Sequence, residues 1–235
     1  MKRIRCVFPI SAVLLWQAAA LAQTGFPFQD ESLRYSVNWP SGLSLGETTF
    51  TAHRGAGGWD LEMGIEAGVP GFAVADKFHS SATSELCSTA FERDTSQGSR
   101  NAREKTTFDQ AAGMAHRATE LPAGGGQSDF QIGSCARDAL AFLYYSRREL
   151  GQGRVPPARQ AYFGSAYSVH MEYTGAQSIS IGESRPEVTD RLVISVTGPK
   201  SAISFEVFFA RDAARTPLLV KVPFSVGILS MELVR

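Results

Sequence analysis

The clearest regularity along the chain is an alternation of apolar and polar positions. Trp59, Leu61, Met63, Ile65, Ala67 and Val69 alternate with Asp60, Glu62, Gly64, Glu66 and Gly68. A period of two is expected of a strand with one buried and one wet face. Leu33, Tyr35, Val37 and Trp39 repeat the pattern, as do Tyr167, Val169, Met171 and Tyr173. Further stretches centre on Leu192, Ile194 and Val196, on Phe205, Val207 and Phe209, and on Leu218, Val220 and Val222. Turn-forming segments separate them: Pro40-Ser41-Gly42, residues 55–58, Gly175, Gly198-Pro199 and residues 212–217. Turns this close together predict antiparallel hairpins. One-sided alternation agrees, because parallel strands covered on both faces read as unbroken apolar runs.

Residues 134–150 follow a different period. Ala136, Leu140, Leu143 and Tyr144 fall at i, i+4, i+7 and i+8, one face of a helix. Ser134 is the expected N-cap, Asp138 lies in the early turns, and Arg147 and Arg148 sit where the C-terminal dipole favours cations. Gly151 and Gly153 stop it. The predicted architecture is mainly β: a long curved antiparallel sheet, an unclosed half-barrel, with this one main helix packed on it. The apolar face of such a sheet has to be covered by the helix, by its own curvature or by a ligand. The Gly- and Pro-rich segments 121–127 and 151–157 flank the helix and read as joints inside one domain.

The N-terminus adds an address. Lys2, Arg3 and Arg5 precede residues 6–22, which carry no formal charge. Ala20-Leu21-Ala22 places small side chains where a signal peptidase requires them, so cleavage before Gln23 is expected. An uncleaved anchor is the competing reading. Against it, the stretch is short for a span of ~20 residues and is interrupted by Pro9 and Gln17. Cys6 precedes the hydrophobic region, which is the wrong side for a lipoprotein cleavage site. Residues 23–32 then lead into a single β-rich domain over residues 33–235. The expected destination is the periplasm or outer cell envelope, with secretion to the medium as a further option.

Cleavage changes both charge and cysteine count. The chain has 23 basic and 23 acidic residues; without Lys2, Arg3 and Arg5 it has 20 against 23, a net −3. Neutralising phosphates needs clustered Lys and Arg, and the runs Arg147-Arg148 and residues 100–105 are short and mixed. They read as solvated surface, and nucleic acid is not an expected partner. Two cysteines remain, Cys87 and Cys135. An even count in an exported chain favours a disulfide between them; two buried free thiols are the alternative. Their spacing does not match a zinc site, and no CxxC motif is present.

Candidate chemistry is sparse. His53, His79, His116 and His170 have polar neighbours and read as exposed sheet histidines, with no HExxH motif or GxSxG elbow nearby. The glycines of segment 121–127 lack the Lys-Ser/Thr of a phosphate loop. No catalytic residue, metal ligand or cofactor is predicted. The chain's 15 Phe, 6 Tyr and 3 Trp are a more distinctive signal. Most belong to a core, yet a curved sheet lined with Trp39, Trp59, Met63, Phe78 and Phe205 would also hold an apolar ligand.

Two segments carry a family resemblance. Leu33-Arg-Tyr-Ser-Val-Asn-Trp39 followed by Leu45-Gly-Glu47, and Ala136-Arg-Asp-Ala-Leu-Ala-Phe-Leu-Tyr-Tyr-Ser-Arg147, resemble an exported bacterial family catalogued as domain of unknown function 3108. Phe209-Ala-Arg-Asp212, Thr216-Pro-Leu218 and Gly227 extend the likeness toward the C-terminus. The resemblance implies an antiparallel β-rich envelope protein and brings no catalytic residues. The implied fold is similar to the unclosed half-barrel of periplasmic lipoprotein carriers, an analogy of fold alone. Three readings of function follow. The first is non-enzymatic binding of a lipid or acylated protein in the concave sheet. The second is an envelope protein-protein interaction or scaffold module. The third is an envelope hydrolase whose groups meet only in the fold.

Overall fold

The computed structural model describes residues 30–69, 71–122, 125–199, 201–224 and 227–235. The expected signal peptide, residues 1–22, lies outside them. The chain makes two runs of hairpins. The first comprises β1 (Asp30–Asn38), β2 (Ser44–Gly55), β3 (Gly58–Val69), β4 (Phe72–Ala82), β5 (Ser88–Gln97), β6 (Arg100–Asp109), β7 (Met114–Leu121) and β8 (Gln127–Gln131). A two-residue strand, β9 (Arg137–Asp138), then enters the helix α1 (Ala139–Gly151). The second run comprises β10 (Arg159–Tyr162), β11 (Ala166–Ile179), β12 (Glu187–Thr197), β13 (Ala202–Ala210), β14 (Pro217–Phe224) and β15 (Gly227–Leu233).

Both runs belong to one 15-stranded sheet in the order β8-β7-β6-β5-β4-β3-β2-β1-β15-β14-β13-β12-β11-β10-β9. Its middle is a seam where the two runs join: β1 lies antiparallel to β15, with Tyr35 opposite Leu233. The short pair β9–β10 is parallel, and the other pairings are antiparallel, all but the β1–β15 seam being hairpins, as the short turns predict. The sheet does not close. It rolls, so that the turn after β10 reaches across the interior to β4, β5 and β7. Phe163 sits 5.3 Å from Phe78 and 5.7 Å from Phe91, Tyr162 packs on Phe108 and Phe130, and Arg117 donates to the Gly164 carbonyl. The open, curved antiparallel sheet expected from the periodicity is the fold observed.

The helix packs on the sheet as expected, on its inner face, and the roll of the sheet brings both runs against it. Leu140, Ala141 and Tyr144 join a cluster built on the first run, with Trp59, Leu61, Phe78 and Phe91. Phe142 and Leu150 join a second cluster with Val169, Leu192, Val207 and Phe209, and Tyr145 packs against both. A helix buried on several sides cannot show the single apolar stripe that its sequence suggested.

Three local expectations are corrected. The helix begins at Ala139 rather than near Ser134, and its N-cap is Asp138, whose carboxylate accepts the backbone N–H of Leu140 and Ala141. Residues ahead of it cannot be helical. Cys135, at φ 53°, is bridged to Cys87, and the Ala136 carbonyl accepts from the Ser88 N–H. Gly175 is not a turn; β11 runs through it with a register shift after Tyr173, and its φ of +114° suits a bulge. Tyr173, opposite Leu192 just before the shift, keeps the inward direction of its alternation beside Leu192 and Phe209 but lies half exposed. Finally, β1 starts at Asp30, so part of the supposed lead-in is sheet.

Candidate ligand-binding cavity

The period-two alternation that builds the second run also builds a cavity. Val169 and Met171 of β11, Ile194 and Val196 of β12, Phe205, Val207 and Phe209 of β13, and Val220 and Val222 of β14 all point to one face. Leu33 and Tyr35 of β1, Phe50 of β2 and Met63 of β3 continue that face across the seam. Phe142 and Leu143 of α1 form the facing wall, and Phe163 closes the side toward the first cluster. The space between them, partly open to solvent, is about 550 Å³, within the ~300–1,000 Å³ of small-molecule sites.

Polar groups at its border are already engaged. The Arg147 guanidinium, buried with 1 % of its side chain exposed, makes a two-pronged pair with Glu31, Nη1 to Oε2 at 2.6 Å and Nη2 to Oε1 at 2.7 Å. Its Nε donates to the carbonyls of Ala214 and Arg215. Tyr144 donates to Glu31 at 3.2 Å, and Tyr35 donates to the Pro217 carbonyl at 2.7 Å. Ser146 turns its hydroxyl back to the Phe142 carbonyl. Burial pushes both phenols well above the ordinary tyrosine range, and the Glu31 charge pushes them the same way. They are neutral donors at any physiological pH. Burial works against the Arg147 charge, but the Glu31 carboxylate outweighs it and holds the guanidinium pKa up. The reading of Arg147 as solvated surface is therefore wrong: its carboxylate partner stands 116 residues away, where sequence spacing cannot show it. Arg148, which pairs with the exposed Glu85, does lie at the surface.

The structure brings two of the five proposed lining residues, Met63 and Phe205, to the cavity wall. Trp59 and Phe78 lie in the packed first cluster. Trp39 sits at the β1–β2 turn, its N–H donating to the Leu43 carbonyl. The remaining wall comes from residues that the alternation flagged as inward-facing but did not assign to a ligand. Only topology distinguishes a packed stretch of that face from a hollow one.

The disulfide forms between Cys87 and Cys135, with Cα atoms 4.6 Å apart. It ties the β4–β5 turn to the entry of the helix. Each of three histidines stands beside one carboxylate on the outer surface: His53 by Asp30, His79 by Asp60 and His116 by Asp129. His170 is exposed. A second, polar hollow of about 590 Å³ crosses the opposite face of β2–β6. Charges on this face pair across strands, Arg103 with Asp94 and Lys105 with Glu92, so these members of the run 100–105 are solvated surface, whereas Glu104 turns inward toward Arg93 and is mostly buried. Among the described residues no group of three or more His, Cys, Asp or Glu could hold a metal ion.

A rolled, unclosed sheet around a central helix, with an apolar hollow under its second half, defines a barrel-like β protein. The chain belongs to the family described as "Protein of unknown function (DUF3108)", whose model matches residues 34–234. It is also similar in fold to the "Beta-barrel-like Protein of Domain of Unknown Function DUF1849 from Brucella abortus", with a TM-score of 0.63 at 10 % identity, covering 87 % of this chain and 95 % of that one. No curated protein matches the chain.

Proposed function

We propose that the protein is a non-enzymatic envelope carrier or sensor that holds the apolar part of a lipid or acylated protein in the cavity. The observation that carries this reading is the wall itself. About 550 Å³ is bordered by apolar side chains from both hairpin runs and the helix, and the one charged side chain among the described residues at its border, Arg147, is paired with Glu31. With that charge already taken up, the polar end of the ligand is expected to stay outside. Export fits the reading. Residues 1–22 have the form of a signal peptide, and a disulfide between Cys87 and Cys135 suits an oxidising compartment. The periplasm or outer envelope is the proposed location.

Burial of a methylene is worth about 0.8 kcal/mol, so affinity in a series of straight-chain fatty acids should rise about fourfold per carbon until the cavity is full. Displacement of a fluorescent fatty acid measures this, alongside native mass spectrometry of protein taken from the periplasm. Val196→Trp or Val220→Trp, at half-buried wall positions, should abolish binding while leaving the circular dichroism spectrum intact. Absence of any co-purifying lipid, together with no displacement across the series, would sink the proposal. The scaffold reading is supported by the strand β8, which is paired on one side only and offers its free edge to another chain.

A further inference from the structure

The hairpin tips at one end of the sheet differ from the rest of the surface. Strand registers place the tips after β1, β3, β5, β12 and β14 at the same end. Asn38 stands opposite both Ser44 and Ser230, Val69 opposite Phe72, Gln97 opposite Arg100, Thr197 opposite Ala202 and Phe224 opposite Gly227. Four of these tips are neighbours in the sheet, carried by the eight strands from β4 to β12. Each ends in bulky, exposed apolar side chains. Phe72 is 50 % exposed, Leu43 66 %, Phe224 51 % and Ile228 53 %, with Ile203 at 38 %. The tips abut: a Cβ added to Gly227 would lie 2.6 Å from Pro40. With strands about 4.8 Å apart, tips stand about 10 Å apart and the row spans roughly 30 Å.

Charge is segregated in the same sense along this row; the β7–β8 tip, at the same end but outside the row, has Glu120 beside it. Segments 39–43, 69–72, 97–100, 198–203 and 224–228 contain no Asp or Glu, although acids outnumber bases once residues 1–22 are removed. Arg100 is the charged residue among those described there. At the other end, the turns after β4, β11 and β13 carry Glu85, Glu183 and Asp212 together with Arg185, Arg211 and Arg215.

We propose that this row of tips is a docking edge for an anionic lipid bilayer. Fingertips that each end in one or two bulky apolar side chains can enter between headgroups and bury their apolar surface there. A surface without carboxylates is not repelled by anionic lipid. The cavity wall reaches the same edge. Ile203 lines the cavity and is exposed at its tip, and Val196 and Val222 lie within two residues of neighbouring tips. Docked this way, the protein passes an apolar chain between bilayer and cavity with little exposure to water. That exchange rests on the proposed cavity function; the docking itself does not.

Flotation with phosphatidylglycerol-containing vesicles and with phosphatidylcholine vesicles tests the docking, using protein purified from the periplasm. The wild type should float with the anionic vesicles and more weakly with the zwitterionic ones. The triple variant Leu43→Ser, Phe72→Ser, Phe224→Ser should lower partitioning at least tenfold with an unchanged melting temperature. The cavity-blocking Val220→Trp variant, in mid-strand away from the tips, should float like wild type even where it no longer binds fatty acid, which separates the two proposals. Should the triple variant fold poorly, a Leu43→Trp reporter in the otherwise native chain should shift its emission to the blue on adding anionic vesicles. No flotation of the wild type, equal flotation of the triple variant, or an unshifted reporter overturns the proposal. So does tip-dependent dimerisation, seen by sedimentation, in protein that ignores vesicles.

Discussion

At the scale of single residues, two buried charges are the sensitive points. Asp138 is fully buried, and burial raises its carboxyl pKa above the ordinary 3.8, partly offset by the Ser80 and Ser88 hydroxyls and the N–H groups of Ala141 and Leu140. A raised pKa means the folded state holds the proton to higher pH than the unfolded chain does. The corresponding stability is complete below about pH 4 and declines as pH rises toward the folded value. Asp138→Asn keeps a cap oxygen and removes the titration, so its unfolding midpoint should be flatter than wild type from pH 4 upward. Asp138→Ala should cost about 1–2 kcal/mol through the cap alone, and more because two buried hydroxyls lose their acceptor. Urea titrations at several pH values check both. Arg147 is the second point. Arg147→Met strands the Glu31 carboxylate, and Glu31→Leu strands the guanidinium, each costing about 3–5 kcal/mol. The double substitution should recover most of that loss. If the double variant is as unstable as the sum of the singles, the pair is not the source of the cost.

At the scale of elements, legibility followed one-sidedness. Strands β1, β3 and β11 to β14 put apolar residues on one face and polar residues on the other, and their alternation is plain in the sequence. Strand β6 is not, because its inner face carries Ala102, Glu104, Thr106 and Phe108 and its outer face is a run of charges. Burial of Phe108 in the first cluster anchors one end of it, and hydrogen bonding to β5 and β7 holds the rest in the sheet. The helix was legible by its apolar content and C-terminal glycines. Its start was hidden because a disulfide and β9, both contacts to distant residues, occupy the positions before Asp138. The Glu31–Arg147 pair and the hollow beneath β11 to β14 were hidden for the same reason. The disulfide was anticipated from cysteine parity, and its placement gives it a predictable weight. It joins positions 48 residues apart, which corresponds to at most about 4 kcal/mol in the chain-entropy model. Cys87→Ser with Cys135→Ser should lower the melting temperature correspondingly. It should also raise amide exchange first at the N-terminal turn of α1, which loses its tie to the β4–β5 turn. Uniform exchange across the sheet, with that turn still protected, would contradict this assignment.

At the scale of the whole molecule, the question is whether two hairpin runs with two clusters behave as one unit. Nothing in the hairpin order requires it: most strand pairings lie within one run or the other, and β1 with β15 is the ladder between the runs. Two features couple them. The helix sends Leu140 and Tyr144 into the first cluster and Phe142 and Leu150 into the second, so neither cluster can loosen without unpacking a face of α1. Arg147, on the same helix, binds both Glu31 at the start of β1 and the carbonyls of Ala214 and Arg215 before β14. Unfolding should therefore be a single cooperative transition despite the cavity in the second half. Tryptophan reporters test it: Trp59 for the first cluster in a Trp39→Phe background of a chain begun at Gln23, and a tryptophan introduced by Val220→Trp, with Trp39 and Trp59 replaced by Phe, for the second. Coincident urea midpoints, after correction for the stability of each variant, are the expected result. A second-half transition at clearly lower urea, with Trp59 still buried, would show instead that the half containing the cavity opens on its own. The helix would then be a hinge rather than a common core.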